Sequence, residues 1–286
     1  EMCIRDSSLR CYGVQVVKYP VATFFLINSH QYIVFQQVLS KMSAYFKFEG
    51  ELRLALRAEM QGEEVRHISQ SRRLRPGDDF LLQDRLGQRF RVKLLNQRRQ
   101  RLEFEVLEAA VVPEPSPLSL ELWLALPKEK ALELILQKGV ELGVSRVVLF
   151  QGKFSSGRAE VPAINAQQRW ERIMSEACKQ SGRQFSPTWT WFQSLEAALG
   201  QTNATDQHWI FAPLPDSSDW PISRAEMVEQ KHTLWIGPEG GWHASELALA
   251  HQAKARSLEL GPRVLRTETA AISAMTIFQH RFGDLN

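Results

Sequence analysis

Apolar and polar side chains alternate with a period of two in the first half of the chain, which is typical of strands buried on one face. The clearest example is residues 102–107, where glutamates separate Leu102, Phe104 and Val106. Turns that contain Pro, Gly and Asp separate three further strand-like runs, at residues 44–48, 79–83 and 89–95. The pattern predicts a small β-barrel over residues 42–112.

The pattern changes at the proline-rich residues 113–117, which we interpret as a stiff linker between two domains. Beyond them, apolar strands alternate with amphipathic helices. The predicted strands are residues 118–126, 144–150, 208–212, 233–236 and 257–260, and the predicted helices are residues 130–142 and 161–181. Because parallel strands need crossover connections, which are usually helices, this alternation predicts an α/β domain with a mainly parallel sheet over residues 118–286.

The last predicted helix carries an apolar stripe at helical spacing. Its members are Ala271, Ala274, Met275, Phe278 and Phe282. Two locations stay open for this stripe: the core of its own subunit, or a contact surface with a second copy of the chain.

Residues 1–41 differ in character from the rest of the chain. The apolar run at residues 21–27 is interrupted by Asn28 and His30, so it falls short of the roughly 20 residues that a membrane span needs. No clear cleavage site follows it, which disfavours a secretory signal. We expect residues 1–41 to be a disordered or non-native leader outside the working protein.

Composition narrows the class of protein. A chain of 286 residues with 44% hydrophobic content can bury a substantial core and is long enough for two domains. Its formal net charge is only +3, so overall charge argues weakly for an anionic partner. Cys3, Cys11 and Cys178 have the spacing of neither a disulfide framework nor a metal site. We therefore expect a globular cytoplasmic protein that binds no metal and spans no membrane.

Two glycine-rich loops near the C terminus each follow a predicted strand and lead into a predicted helix. The first contains Ile236-Gly-Pro-Glu-Gly-Gly241, and the second contains Leu260-Gly-Pro-Arg-Val-Leu-Arg-Thr-Glu-Thr269. Proline fixes φ and glycine permits conformations closed to other residues, so such turns expose main-chain amides to a ligand. One Gly-Pro turn is ordinary between a strand and a helix, but two in succession favour a ligand site.

The two loops resemble the signature loops of the RsmE-type 16S rRNA uridine N3-methyltransferases, a family of the SPOUT superfamily. The resemblance covers residues 42–286. It includes residues 128–144, similar to the family's lysine-containing helix ending in Glu-Leu-Gly-Val, and residues 176–183, similar to its Glu-Gln-Ser-Gly-Arg motif. The departures are a missing arginine beside Tyr45-Phe-Lys47, Gly152-Lys153 in place of Glu-Arg, and Trp242-His243 in place of a small hydroxyl residue.

The resemblance implies the SPOUT fold, whose C-terminal segment threads into a trefoil knot, and a PUA-like barrel at residues 42–112 that helps to hold rRNA. It implies S-adenosyl-L-methionine-dependent methylation of N3 of a uridine in 16S rRNA, either as naked RNA or in the assembled small ribosomal subunit. It also implies a homodimer formed by packing of the C-terminal helices beside the knot.

The resemblance places S-adenosyl-L-methionine between the two loops. Main-chain groups and an apolar slot can receive the adenine there, and the loop glycines allow close approach. The sulfonium group carries the activation of the methyl group, so the protein mainly orients it. The implied cofactor-binding residues are Ile236, Gly237, Pro238, Glu239, Gly240, Gly241, Leu260, Gly261, Arg263, Val264, Leu265, Arg266 and Thr267.

Uridine N3 has to lose its proton before it attacks the methyl group. Arg266 is the best candidate to stabilise the resulting anionic base, and Glu268 is the candidate to hold the arginine or to help the proton leave. An alternative stays open in which Arg266 and Glu268 form an ion pair at a helix start, with Thr267 as the N-cap. The two roles are compatible.

Basic residues cluster in two stretches, residues 66–75 and residues 85–101, and the second stretch contains no acidic residue. Charge alone does not separate a solvated face from a phosphate-binding face. The resemblance to an RNA-holding barrel favours phosphate contact. The candidate RNA-binding residues are His67, Arg72, Arg73, Arg75, Arg89, Arg91, Arg98, Arg99, Arg101, Lys128, Lys138 and Arg183.

Two other function classes compete with a methyltransferase. A non-catalytic RNA-binding or ribosome-assembly protein on the same scaffold would have no use for intact methyl-donor loops. A nucleotide-dependent enzyme of the doubly wound class would need a G-x-G-x-x-G motif or a phosphate-binding loop with Lys-Ser/Thr, and neither loop fits. A knotted methyltransferase is the preferred interpretation.

Overall fold

The structure, a computed structural model, describes residues 44–71, 74–98, 100–156, 161–201, 206–212 and 231–285. The expectation for residues 1–41 therefore falls outside the described residues. Three of the candidate RNA contacts, Arg72, Arg73 and Arg99, also lie outside them.

Within residues 46–110 the chain forms a five-stranded sheet, which we call the first sheet, with a helix beside it. Its elements are β1 (Phe46–Lys47), β2 (Arg57–Gln61), α1 (Glu63–Ser71), β3 (Asp79–Gln83), β4 (Arg89–Arg98) and β5 (Arg101–Ala110). The strand order is β1-β3-β4-β5-β2, in which β1 and β3 are parallel and the other pairs are antiparallel. The period-two pattern places Leu102, Phe104 and Val106 in the core and leaves Glu103 exposed.

Within residues 119–282 the chain forms a six-stranded sheet with helices between its strands. The strands are β6 (Ser119–Ala125), β7 (Arg146–Phe150), β8 (Thr188–Phe192), β9 (Gln207–Phe211), β10 (Lys231–Ile236) and β11 (Arg256–Leu258). The helices are α2 (Glu129–Glu141), α3 (Ile164–Ser181), α4 (Leu195–Leu199), α5 (Ala244–Gln252) and α6 (Thr267–Phe282). All neighbouring strands of this sheet pair in parallel, so the prediction of an α/β fold with a mainly parallel sheet is confirmed.

The strand order brings the two glycine-rich loops to one edge of the sheet. The order is β11-β9-β10-β6-β7-β8, so β10 lies between β9 and β6, and the chain passes through α5 to reach β11 on the far side of β9. Because the strands are parallel, the loops that follow them meet at the same edge, where ligands bind in open α/β sheets. We call residues 237–242, after β10, the first loop, and residues 259–266, after β11, the second loop.

The apolar stripe of α6 belongs to the core of its own subunit. Ala271, Ala274, Met275 and Phe278 have no exposed surface. The ring of Phe278 packs edge-to-face on Trp209, with ring centroids 5.5 Å apart. The alternative location, on a contact surface with a second copy, is therefore wrong for these residues, because their own subunit already covers them.

A buried hydroxyl group on β10 links the central strands beneath the first loop. The Thr233 hydroxyl accepts a hydrogen bond from Trp235 Nε1 at 3.0 Å and shares a second one with Nδ1 of His208 on β9. Burial lowers the pKa of His208, so its imidazole is neutral in the core at physiological pH. Trp235 also stacks on Trp123 of β6, with ring centroids 5.6 Å apart. Side chains therefore join the three strands β9, β10 and β6 in addition to their backbone hydrogen bonds.

A seam of buried polar contacts joins the first sheet to the end of α3. Arg89 of β4 donates hydrogen bonds to Gln83 Oε1 at 2.9 Å and to the carbonyl of Gly182 at 2.6 Å. Its guanidinium lies over the ring of Tyr45, 4.0 Å from the centroid. The Tyr45 hydroxyl in turn donates to the carbonyl of Arg183 at 2.7 Å. These contacts fix the position of the first sheet relative to the part of the chain that forms the parallel sheet.

An ion pair lies beside this seam. Lys179 Nζ lies 2.9 Å from a Glu64 carboxylate oxygen of α1 and 2.8 Å from a Glu176 carboxylate oxygen.

The prediction that Arg89 binds RNA is wrong, because the residue is only 3% exposed and its guanidinium is held inside the seam. A guanidinium in this position cannot reach a phosphate group.

Replacing Thr233 by Val tests the importance of the buried hydroxyl group. Valine keeps the shape of the side chain but leaves Trp235 Nε1 without its acceptor, so we expect the free energy of unfolding to fall by about 2 kcal/mol. Denaturant unfolding measures this, with Thr188→Val on the exposed start of β8 as the matched control. Equal effects of the two substitutions would contradict a role for the hydroxyl group.

The seam makes the free energy of unfolding fall as the pH rises through the alkaline range. Burial raises the pKa of Tyr45 from its ordinary value of 10.0 to about 12, because the phenolate is disfavoured away from water. The folded state therefore holds this proton more tightly than the unfolded state. The stability it contributes is complete below pH 10 and is lost as the pH rises toward 12.

Absorbance of the ionised phenol measures this titration directly. We expect a step near pH 12 in the folded protein that Tyr45→Phe removes. Denaturant should move that step toward the ordinary tyrosine value. A titration curve that Tyr45→Phe leaves unchanged at high pH would contradict the burial of this phenol.

Candidate functional site

The two loops are in contact with each other at the edge of the parallel sheet. Ile236 ends β10, and the first loop begins with Gly237 directly after it. The hydroxyl of Thr267, the first residue of α6, donates a hydrogen bond to the carbonyl of Gly237 at 3.5 Å. The end of the second loop therefore lies against the beginning of the first.

Glycine is required at two positions of the first loop for different reasons. Gly241 has a φ of +78°, which side chains rarely tolerate, and its amide closes a turn onto the carbonyl of Pro238 at 2.9 Å. A Cβ on Gly240 would lie 2.7 Å from the Cβ of Phe154. Gly240 therefore makes room for the neighbouring loop after β7, which differs from the expectation that it makes room for the cofactor.

Glu239 connects the first loop to two other segments at the same edge. Its carboxylate accepts a hydrogen bond from the main-chain amide of Lys128, directly before α2, at 3.1 Å. It also accepts one from the hydroxyl of Ser156, after β7, at 3.4 Å. The carboxylate predicted to bind the cofactor thus holds neighbouring loops together.

The departure from the family pattern at Trp242 and His243 is compatible with a well-formed helix start. The imidazole of His243 accepts from the amide of Ser245 at 3.1 Å, and Glu246 accepts from the amide of His243 at 2.9 Å. This is a capping box, with histidine in the place of the usual hydroxyl residue. Trp242 Nε1 donates to the carbonyl of Phe211 at 3.2 Å and so fastens the first loop to β9.

The second loop presents unpaired main-chain groups. The main-chain amides of Gly261, Arg263, Val264 and Leu265 donate no hydrogen bond to any described residue. Gly261 has a φ of +94°, and apart from its chain neighbours no described residue has an atom within 4 Å of the position that a Cβ would take. Val264 is fully exposed and Leu265 is half-buried. The loop therefore offers hydrogen-bond donors and apolar surface to a ligand.

Arg266 and Glu268 stand at the start of α6 without the ion pair that the alternative interpretation requires. Arg266 is the N-cap residue and is exposed, and Glu268 lies half-buried in the first turn. Neither forms an ion pair with a described residue. Thr267 is the first helical residue, so its prediction as the N-cap is wrong by one position. Both charged groups are free to face a substrate.

The candidate RNA-binding side chains differ in exposure and in whether they already form ion pairs or hydrogen bonds with other residues. Arg75, Arg98 and Lys128 are exposed, and none is in an ion pair within the described part of the chain. Others are already engaged: His67 with Glu64 and Glu176, Arg91 with Asp79 and Glu108, Arg101 with Glu59, and Lys138 with Glu141. Arg183 is half-buried and donates to the carbonyl of Val140 at 3.2 Å, and burial lowers its pKa.

Among the described residues, no group of three or more His, Cys, Asp or Glu side chains is placed to hold a metal ion. Of the helices in this part of the chain, none is both long and apolar enough to cross a membrane.

Comparison with known proteins agrees with this geometry. The chain is 29% identical to ribosomal RNA small subunit methyltransferase E of Bacillus subtilis, over 77% of this chain and 88% of the relative. A crystal structure of ribosomal RNA small subunit methyltransferase E from Neisseria gonorrhoeae, bound to S-adenosyl methionine, matches with a TM-score of 0.74 and 28% identity. That match covers 85% of this chain and 99% of the other.

A second solved structure gives a similar match. A putative methyltransferase from Legionella pneumophila, in complex with its bound cofactor SAM, has a TM-score of 0.74 and 26% identity and covers 85% of this chain and 99% of its own. The family model of the RNA methyltransferase domain matches residues 114–279, which is more than half of the chain. The resemblance carried by the two loops is confirmed, and the chain belongs to the RNA methyltransferase domain family.

Proposed function

We propose that this protein transfers a methyl group from S-adenosyl-L-methionine to N3 of a uridine in the 16S rRNA of the small ribosomal subunit. One observation carries the proposal: Arg266 and Glu268, which form no ion pair with a described residue, stand at the helix start that contacts the first loop. The names of the relatives, and the cofactor bound in two of the matched structures, support the donor and the substrate class.

The residues of the two loops fit S-adenosyl-L-methionine. An adenine needs main-chain hydrogen-bond partners on its edge and apolar contact on its faces. The free amides of the second loop supply the first, and Val264 and Leu265 supply the second. The empty space over Gly241 and Gly261 lets a ligand approach the backbone closely. When bound, the cofactor supplies an electrophilic methyl group.

The charged residues at the start of α6 act on the uracil. The guanidinium of Arg266 stabilises the negative charge that develops on the base as N3 loses its proton. Glu268 lies in the first turn of the same helix, where its carboxylate can orient the arginine or receive that proton. Because neither side chain is held in an ion pair with a described residue, both can reorganise around the substrate.

The first sheet is the part of the chain that we propose as the PUA-like RNA-holding domain. Its exposed Arg75 and Arg98 can contact phosphate groups, as can Lys128 at the edge of the parallel sheet. We also propose that the C-terminal segment forms a trefoil knot. Two observations support it: β10 is inserted between β9 and β6, and Thr267 contacts Gly237.

We further propose that the protein acts as a homodimer in the cytoplasm. The buried stripe of α6 is excluded as the contact surface, so we propose instead the face of this helix that carries Ser273, Thr276 and the exposed His280. Either naked 16S rRNA or the assembled small subunit would serve as substrate.

Gly261→Ala tests the cofactor site. Alanine is strained at this φ by roughly 1–2 kcal/mol, and a shift of the second loop would move its free amides, so we expect S-adenosyl-L-methionine to bind at least about tenfold more weakly. Gly77→Ala is the matched control, because Gly77 also has a positive φ of +100° and, apart from its chain neighbours, no described residue lies within 4 Å of its Cβ position. Calorimetry that shows unchanged affinity in folded Gly261→Ala would refute this placement of the cofactor.

Arg266→Gln tests the catalytic assignment. The variant loses the positive charge but keeps a side chain of similar length. We expect kcat for methylation of small-subunit rRNA to fall by about 10²-fold to 10³-fold at saturating cofactor. Arg172→Gln, at an exposed arginine of α3, should leave kcat unchanged under these conditions. Equal rates for the two variants would show that Arg266 does not act in the chemical step.

A further inference from the structure

Phe154 is an exposed aromatic side chain directly beside the first loop. It is 49% exposed, although its Cβ lies so close to Gly240 that only glycine fits there. Its ring meets the imidazole of His243 edge-on, with ring centroids 5.4 Å apart. About half of this side chain is thus left to solvent next to the first loop.

The loop that carries Phe154 is held rigidly by hydrogen bonds. The amide of Ser155 donates to the carbonyl of Gly152 at 3.2 Å, and the amide of Gly152 donates back to the Ser155 hydroxyl at 3.2 Å. The amide of Lys153 donates to the buried carboxylate of Glu246 at 3.1 Å. A ring on such a support loses little conformational entropy when it binds a partner.

The departure from the family pattern at Gly152-Lys153 explains how the ring reaches this place. A Cβ on Gly152 would lie 3.0 Å from Ala125 and 3.1 Å from the Ser155 hydroxyl, so the absence of a side chain lets the loop turn against β6. Lys153 remains exposed and forms no ion pair with a described residue. The exposed ring is therefore accompanied by a free positive charge.

An exposed ring beside free cations suits one class of partner. Unstacked bases of RNA bind by stacking on aromatic side chains, while lysines contact the flanking phosphates. Lys153 precedes the ring, and Lys128 is tied by its amide to Glu239 of the first loop. We propose that Phe154 is a substrate-positioning platform that stacks on the uracil presented for methylation. This inference rests on the proposed function and adds to it the residue that holds the base.

Two substitutions separate stacking from packing. Phe154→Tyr keeps the aromatic face, and Phe154→Leu keeps apolar volume without it. We expect kcat/KM for the RNA substrate to fall by about tenfold or more in Phe154→Leu and to stay unchanged in Phe154→Tyr. Affinity for S-adenosyl-L-methionine should be unchanged in both. Val161→Ala, at an exposed apolar residue of the same β7–α3 connection, serves as the control and should behave like the wild type.

Photo-crosslinking supplies a readout that does not depend on turnover. An RNA fragment with 5-iodouridine at the target position should crosslink to the peptide that contains Phe154, and Phe154→Leu should abolish this crosslink. Equal activity of the Leu and Tyr variants, or a loss of cofactor affinity in Phe154→Leu, would overturn the inference while the proposed function stands. Failure of the wild-type protein to methylate uridine N3 would instead refute the proposed function itself.

Discussion

The insertion of β10 between β9 and β6 is the constraint on which the site depends. A parallel strand in the middle of a sheet is hydrogen-bonded on both sides, and here the side chains of Thr233, Trp235 and His208 add a second set of links. The first loop therefore starts from a fixed position. Because the next strand lies beyond β9, the chain returns over the same edge and brings α6 against Gly237.

The sequence predicted the parallel sheet and the place of both loops, because apolar strands and glycine-proline turns are local signals. It did not predict β2 and α1, which bury little apolar surface, with Met60 in β2 and Val65 and Ile68 in α1. It also began α3 at residue 161, whereas the helix starts at Ile164, after Pro162. Strand order was out of reach, because pairing partners are far apart in the chain.

Within the site, residue type was easier to predict than residue role. A run of arginines has the same appearance whether it faces phosphate groups or a seam, and only the fold shows that Arg89 lies under Tyr45. Position 240 requires glycine because a Cβ there would collide with Phe154, a residue distant in sequence. The His243 and Glu246 capping box was open to prediction from its spacing, but the expectation of a hydroxyl residue hid it.

The central claim is that the two loops and the residues at the start of α6 methylate N3 of a uridine in 16S rRNA. Mass-spectrometric mapping of modified nucleosides in 16S rRNA from a strain that lacks this protein tests it most directly. The account predicts that a single uridine loses its N3-methyl group and regains it when the wild-type protein is restored. An unchanged set of N3-methylated uridines in that strain, or loss of a methyl group from a different atom, would contradict it.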